Sequence, residues 1–137
     1  MVDMLKVQKQ DLDKLHQHAE GALPKEAVAL LFGSVYEDTV TIDRVELVEN
    51  ILASSTSFAV DPMTQYELLM DADKREQELV CIFHSHPSGS SPSSRDRENM
   101  NLNPVIWLIA SKEKETWESH AFILEGDHIR RVEVRLV

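Results

Sequence analysis

Three short, nearly continuous apolar runs dominate this chain: EAVALLFG at 26–33, LVCIF at 79–83 and PVIWLIA at 104–110. Each has strand length. A run without polar alternation reads as a strand buried on both faces, which requires other elements to pack over the sheet it joins.

The segments between these runs supply the cover. Leu12, Leu15, Ala19 and Ala22 recur at helical spacing, with Gly21 and Pro24 as punctuation, and predict an amphipathic helix over 8–23. A strand is expected over 39–48 and a short one near Ser57–Val60. Asp61-Pro62 then offers a helix start, aspartate as cap and proline at the first helical position, with Tyr66, Leu69 and Met70 as the apolar face. ELVCIFHSH reads as a strand, followed after a polar loop by a short helix near 94–101. TWESHAFIL and HIRRVEVRL flank Glu125-Gly126-Asp127, a hairpin turn. The order αβββαβαβββ points to an α+β fold, a curved mixed sheet with helices packed on it. No repeat or linker divides the sequence, so residues 1–137 are expected to form a single domain.

Charge and composition exclude several function classes. With 14 basic against 24 acidic residues the net charge is −10, so attraction to a phosphate backbone is not expected; the excess acid suits a partner with a basic face or serves solubility alone. No apolar run approaches the roughly 20 residues needed to span a bilayer. The start, MVDMLKVQKQDLDKL, lacks the basic and apolar regions of a signal peptide. The expectation is a cytoplasmic protein without membrane contact. Cys81 is the single cysteine, so neither an intrachain disulfide nor a cysteine zinc cluster can form. Within LVCIF it reads as a buried, inert thiol, with an intermolecular disulfide or a reactive thiol as the alternatives.

The chemistry concentrates in FHSHPSGSSPSSRD, residues 83–96. Positions two apart share a face of a strand, so His84 and His86 point the same way where ELVCIF ends, and Pro87 stops the strand. Asp96 is the best third ligand if the Ser/Gly-rich loop turns back. Two imidazoles and one carboxylate suit zinc, with a fourth position open for water, the pattern of a catalytic site. A base that is not itself a ligand is also required. Glu26, at the mouth of a buried strand, fills that role if its strand lies beside the histidines. Ser93 is placed to donate to an oxyanion. A plainer reading stands beside this one: Ser93-x-x-Asp96 is also a capping box that simply starts a helix. The joint pattern H-x-H-P-x₅-S-x-x-D arises by chance in roughly one chain of this length in 10⁵.

With Glu26 upstream, His84-Ser85-His86-Pro87 and then Pro92-Ser93-Ser94-Arg95-Asp96, the chain resembles the JAMM (MPN+) metalloproteases, of the compact prokaryotic type. The loop SGSSP holds five residues where the family usually has six, and Cys81 stands where many members carry glycine. The resemblance implies a cytidine-deaminase-like mixed sheet and one zinc on His84, His86 and Asp96. It also implies Glu26 as general acid/base and Ser93 as helper at the oxyanion. Its substrates would be ubiquitin-like small modifier or sulfur-carrier proteins, cleaved after a C-terminal diglycine and laid extended along a strand edge. Because family members often pair, a homodimer is a further expectation. Three other readings remain open: release of an amino acid such as cysteine from a sulfur carrier, a role in DNA repair, and a non-catalytic scaffold. His16 and His18 on the first helix, and His120 and His128 on the hairpin, are expected to be solvated or packed. Trp107 and Trp117 are read as core.

Overall fold

A computed structural model describes residues 1–87 and 92–137. The elements follow in the order β1 (Met4–Val7), α1 (Lys9–Ala22), β2 (Val28–Tyr36), β3 (Thr39–Val48), α2 (Pro62–Lys74), β4 (Glu78–His86), α3 (Ser94–Leu102), β5 (Ile106–Glu113), β6 (Thr116–Glu125) and β7 (His128–Leu136). The loop expected to turn back toward the histidines includes residues 88–91, which lie outside the described residues.

The three apolar runs become β2, β4 and β5, side by side in the sheet. Both faces of β2 are covered, which explains its lack of alternation. Ala29 and Leu31 join a cluster with Leu15 and Ala19 of α1, while Val28, Leu30 and Phe32 join another with Ala72 of α2 and Met100 of α3. β2 pairs antiparallel with both β3 and β4, and β4 pairs parallel with β5. A parallel pair needs a crossover connection. The segment carrying α3 provides it, and so brings α3 back over the C-terminal end of β4.

The mixed sheet curls until it closes, in the order β1-β3-β2-β4-β5-β6-β7 with β1 pairing β7. The α+β expectation holds, with three helices and a barrel-like sheet among the described residues. β1 was not expected. It is four residues of MLKV, too short for a periodicity signal, yet Leu5 and Val7 are fully buried and the strand bridges β3 and β7. Closure also narrows the expected docking edge, because every described strand has a neighbour on both flanks.

Two further expectations are corrected. Residues 57–60 form no strand; the segment is held by the Asn50 side chain and by the Ile51 N–H donating to the Ala59 carbonyl, without a ladder. α2 starts where Asp61-Pro62 predicts, with the Asp61 carboxylate accepting from the Thr64 N–H at 3.0 Å. However, Tyr66, Leu69 and Met70 do not face the core; Tyr66 is 60% exposed. The helix packs through Leu68 and Ala72 instead, because the sheet reaches it on that side. Gly33 has a specific cause. At a register shift of the β2–β3 pair, a Cβ there would sit 1.9 Å from the Thr41 carbonyl oxygen, a clash no rotamer relieves.

Candidate metal centre

Strand geometry makes the first half of the site. His84 and His86 project from one face of β4, the face that carries Ile82 into the cluster with Trp107 and Met100. His84 is fully buried, its ring centroid 5.1 Å from Phe58, 5.6 Å from Trp107 and 4.9 Å from His86. The imidazoles therefore meet in a largely apolar wall at the strand's C-terminal end.

A helix cap makes the second half. Ser93 is the N-cap of α3: its Oγ accepts from the Asp96 N–H at 3.1 Å, and Asp96 Oδ2 accepts from the Ser93 N–H at 2.9 Å. The same carboxylate lies 3.0 Å from His84 Nε2 through Oδ1 and 2.9 Å from His86 Nε2 through Oδ2. The two Nε2 atoms are 3.1 Å apart. One carboxylate thus serves the capping box and also meets both histidines. The box orients the carboxylate that completes the cluster, as outer partners of metal ligands commonly do.

The donor set fits a small divalent cation. Edges of a tetrahedron with bonds of about 2.0–2.1 Å are about 3.3 Å long, close to the separations of 2.9–3.1 Å found here. Two imidazoles and a carboxylate converging in a buried space need a positive charge between them. Burial works against charge on Asp96, but hydrogen bonds from His84 and His86 hold its carboxyl well below the usual range. Burial pushes His84 down, outweighing the pull of Asp96. His86 is also opposed by burial, yet its bond to Asp96 and the charges of Asp96 and Glu26 leave it raised. A cation bound between the three side chains would supply the positive charge that the cluster demands.

Glu26 stands two residues before β2, at the mouth of that strand. Val28 is opposite His84, and the Ser85 N–H donates to the Ala27 carbonyl at 3.0 Å. Continuing that antiparallel register puts Glu26 opposite His86. The adjacency on which its role depended is therefore present. Glu26 is 4% exposed, and its Oε1 has no hydrogen-bond partner among the described residues. Burial raises its carboxyl to about 7, with the charge of Asp96 adding to the rise and those of His86 and Arg95 opposing it. This is the environment in which a carboxyl exchanges protons near neutrality.

The other flagged side chains stay outside the cluster. His16 Nε2 bonds Ser119 Oγ at 2.7 Å and His18 Nε2 bonds the Val28 carbonyl at 2.9 Å, both packing roles. His120 lies against Arg131, and His128 is exposed. Cys81 is fully buried and its thiol is pushed up by burial, which favours the inert reading over cross-linking or reactivity. Trp107 is core, as expected, but it also walls the site; Trp117 is only half-buried. Sequence reading missed Phe58, Asn50 and Ser85. The first two sit in a segment without periodicity, and Ser85 had been only the spacer of H-x-H.

Among the described residues no helix is long and apolar enough to cross a membrane. Residues 8–122 match the family model described as prokaryotic homologs of the JAB domain. A desampylase from Pyrococcus furiosus is 37% identical over 111 residues, 80% of this chain and 74% of that protein. A probable TtuB-protein conjugate cleaving protease from Thermus thermophilus is 28% identical over 124 residues, 88% of this chain and 77% of that one. Among solved structures, protein DSY2949 from Desulfitobacterium hafniense superposes with a TM-score of 0.86 at 29% identity, covering 98% of this chain and 93% of that one. A Salinibacter ruber protein shares the fold, with a TM-score of 0.70 at 20% identity over 99% of this chain and 92% of that one.

Proposed function

We propose, for a chain that belongs to the family of prokaryotic homologs of the JAB domain, that it is a zinc-dependent protease of JAMM type. Its substrates are conjugates of a ubiquitin-like modifier or sulfur-carrier protein, cut after the modifier's C-terminal diglycine. The observation that carries this reading is the convergence of His84, His86 and Asp96 with Glu26 beside them. The names of the two relatives, a desampylase and a protein-conjugate cleaving protease, support the substrate class. A scaffold would have no use for three buried donor side chains aimed at one point.

In this reading His84, His86 and Asp96 hold one zinc ion per chain. When bound, zinc supplies a Lewis acid that polarises the scissile carbonyl and acidifies water. Glu26 does the proton transfer. With no hydrogen bond to Oε1 among the described residues, its carboxylate takes a proton from the attacking water and later gives it to the leaving amine. Ser93 accepts the Asp96 N–H on Oγ, and its hydroxyl hydrogen is the proposed donor to the developing oxyanion. Phe58 and Trp107 exclude water from the His84 side, which strengthens these electrostatic contacts.

The same proposal includes a single domain over 1–137 with a cytidine-deaminase-like arrangement, supported by the curled mixed sheet and its three helices. The test is zinc content per chain and cleavage of a diglycine-tailed modifier fusion, on wild type and Asp96→Ala. One zinc and cleavage in the wild type, both lost in the variant, are expected. A folded, metal-replete wild type that binds no zinc, or binds it and leaves the fusion intact, would overturn the proposal.

A further inference from the structure

Glu26 precedes the strand, so the sheet ladder does not hold it, yet a proton-transfer group must be held within a fraction of an ångström. What fixes it is a set of bonds from outside the ladder. The Glu26 N–H donates to the Ser54 carbonyl at 2.7 Å, and the Glu26 carbonyl accepts from Asn50 Nδ2 at 3.0 Å. The next amide, Ala27 N–H, donates to Ser85 Oγ at 2.8 Å.

Asn50 is the centre of this arrangement. Its Nδ2 also donates to the Ser57 carbonyl at 3.0 Å, while its Oδ1 accepts from the Leu52 N–H at 3.1 Å and the Ala59 N–H at 3.2 Å. All four partners are backbone groups, so the amide has only one orientation that satisfies them. One side chain thus shapes the segment between β3 and α2 and ties it to the backbone of Glu26. That segment returns the favour twice, since it contains Ser54, which holds the Glu26 N–H, and Phe58, which packs on His84.

We infer that Asn50 is a positioning residue for Glu26, acting on the reaction through the placement of that carboxylate and not through substrate or metal. The inference rests on the activity proposed above. A merely structural asparagine would, once lost, lower stability but leave the turnover of the folded, zinc-loaded protein unchanged. A positioning residue lowers kcat and leaves KM and zinc content alone. Asn50→Ala removes all four bonds. Asn50→Asp keeps the two accepted bonds that shape the segment and removes the two donated ones, and so covers the case in which the alanine variant folds poorly.

The experiment measures kcat, KM and zinc per chain for both variants, alone and combined with Glu26→Gln. A fall in kcat of roughly 10- to 100-fold is expected from misplacement of the base, with KM within about twofold and one zinc retained. In the Glu26→Gln background the Asn50 changes should cost nothing more, because the group they position no longer transfers protons. Unchanged kcat, a loss carried by KM, loss of zinc, or an equal fall in the Glu26→Gln background would each overturn the inference. Amide hydrogen exchange on metal-free protein tests the clamp without activity. The Glu26 amide should exchange roughly tenfold faster in both variants while Leu108 in β5 stays protected. Unchanged protection at Glu26 would also refute it. An inactive wild type would count against the proposed activity, whereas the exchange comparison still decides whether Asn50 holds Glu26.

Discussion

Glu26→Gln separates a strained buried carboxyl from an ordinary surface one, and it does so through stability. In the metal-free protein Glu26 is 4% exposed, lacks a partner at Oε1 among the described residues, and has its carboxyl raised from 4.5 to about 7. A carboxyl raised on folding holds its proton more tightly in the native state than in the unfolded chain. Its favourable contribution is therefore complete below about pH 4.5 and is lost as pH rises through about 7. A shift of this size corresponds to about 3 kcal/mol at the limit; movement of the neighbouring charges and solvent screening reduce that to roughly 2 kcal/mol. Glutamine has nearly the same shape and no charge at either pH. Glu26→Gln should therefore stabilise the metal-free protein relative to wild type by roughly 2 kcal/mol more at pH 8 than at pH 5. In urea unfolding this is a relative midpoint shift of roughly 1 M, for a slope of about 2 kcal/mol per M. Zinc should shrink the difference, because a cation beside Glu26 favours its ionised form. A stability difference that is the same at both pH values would refute the account of a destabilised buried carboxylate.

Gly33→Ala should destabilise the protein by about 2–4 kcal/mol in chemical denaturation, since the added Cβ meets the Thr41 carbonyl oxygen at 1.9 Å and the β2–β3 ladder must shift; an effect below about 0.5 kcal/mol would show that the shift is easily absorbed. Ser93→Ala removes the cap of α3 and should cost about 1 kcal/mol of stability, while zinc binding weakens because the Asp96 carboxylate loses the box that orients it. Zinc affinity by competition with a chelator measures the second effect, and unchanged affinity would confine Ser93 to the helix start. Cys81 should resist a thiol reagent in the native protein and react fully in denaturant, given its complete burial and raised thiol.

The parts of the fold that were legible are those whose signals are local. Unbroken apolar runs marked β2, β4 and β5, a proline after an aspartate marked the start of α2, and Gly126 marked the β6–β7 turn, where it takes a φ of 57°. The clustering of His84, His86 and Asp96 was legible for the same reason: period two along a strand and period three across a helix cap are written in consecutive residues. What failed was decided by neighbours distant in sequence. β1 exists because β3 and β7 flank it, not because MLKV insists on a strand. Residues 57–60 join no ladder; Asn50 binds the Ser57 carbonyl and the Ala59 N–H, and the Ile51 N–H donates to the Ala59 carbonyl.

The sequence by itself therefore determined which atoms the site contains. H-x-H at a strand end, S-x-x-D at a helix start and one glutamate beside an apolar run are local facts, and short-range stereochemistry dictates where each points. The tertiary structure decided how they meet. It set β2 against β4 so that Glu26 falls opposite His86, returned α3 over the end of β4 with its carboxylate 3.0 Å from His84, and walled the cluster with Phe58 and Trp107. Those distances depend on strand order and crossover. No periodicity along the chain encodes them, because they arise from the burial of surfaces that become neighbours only once the sheet has closed.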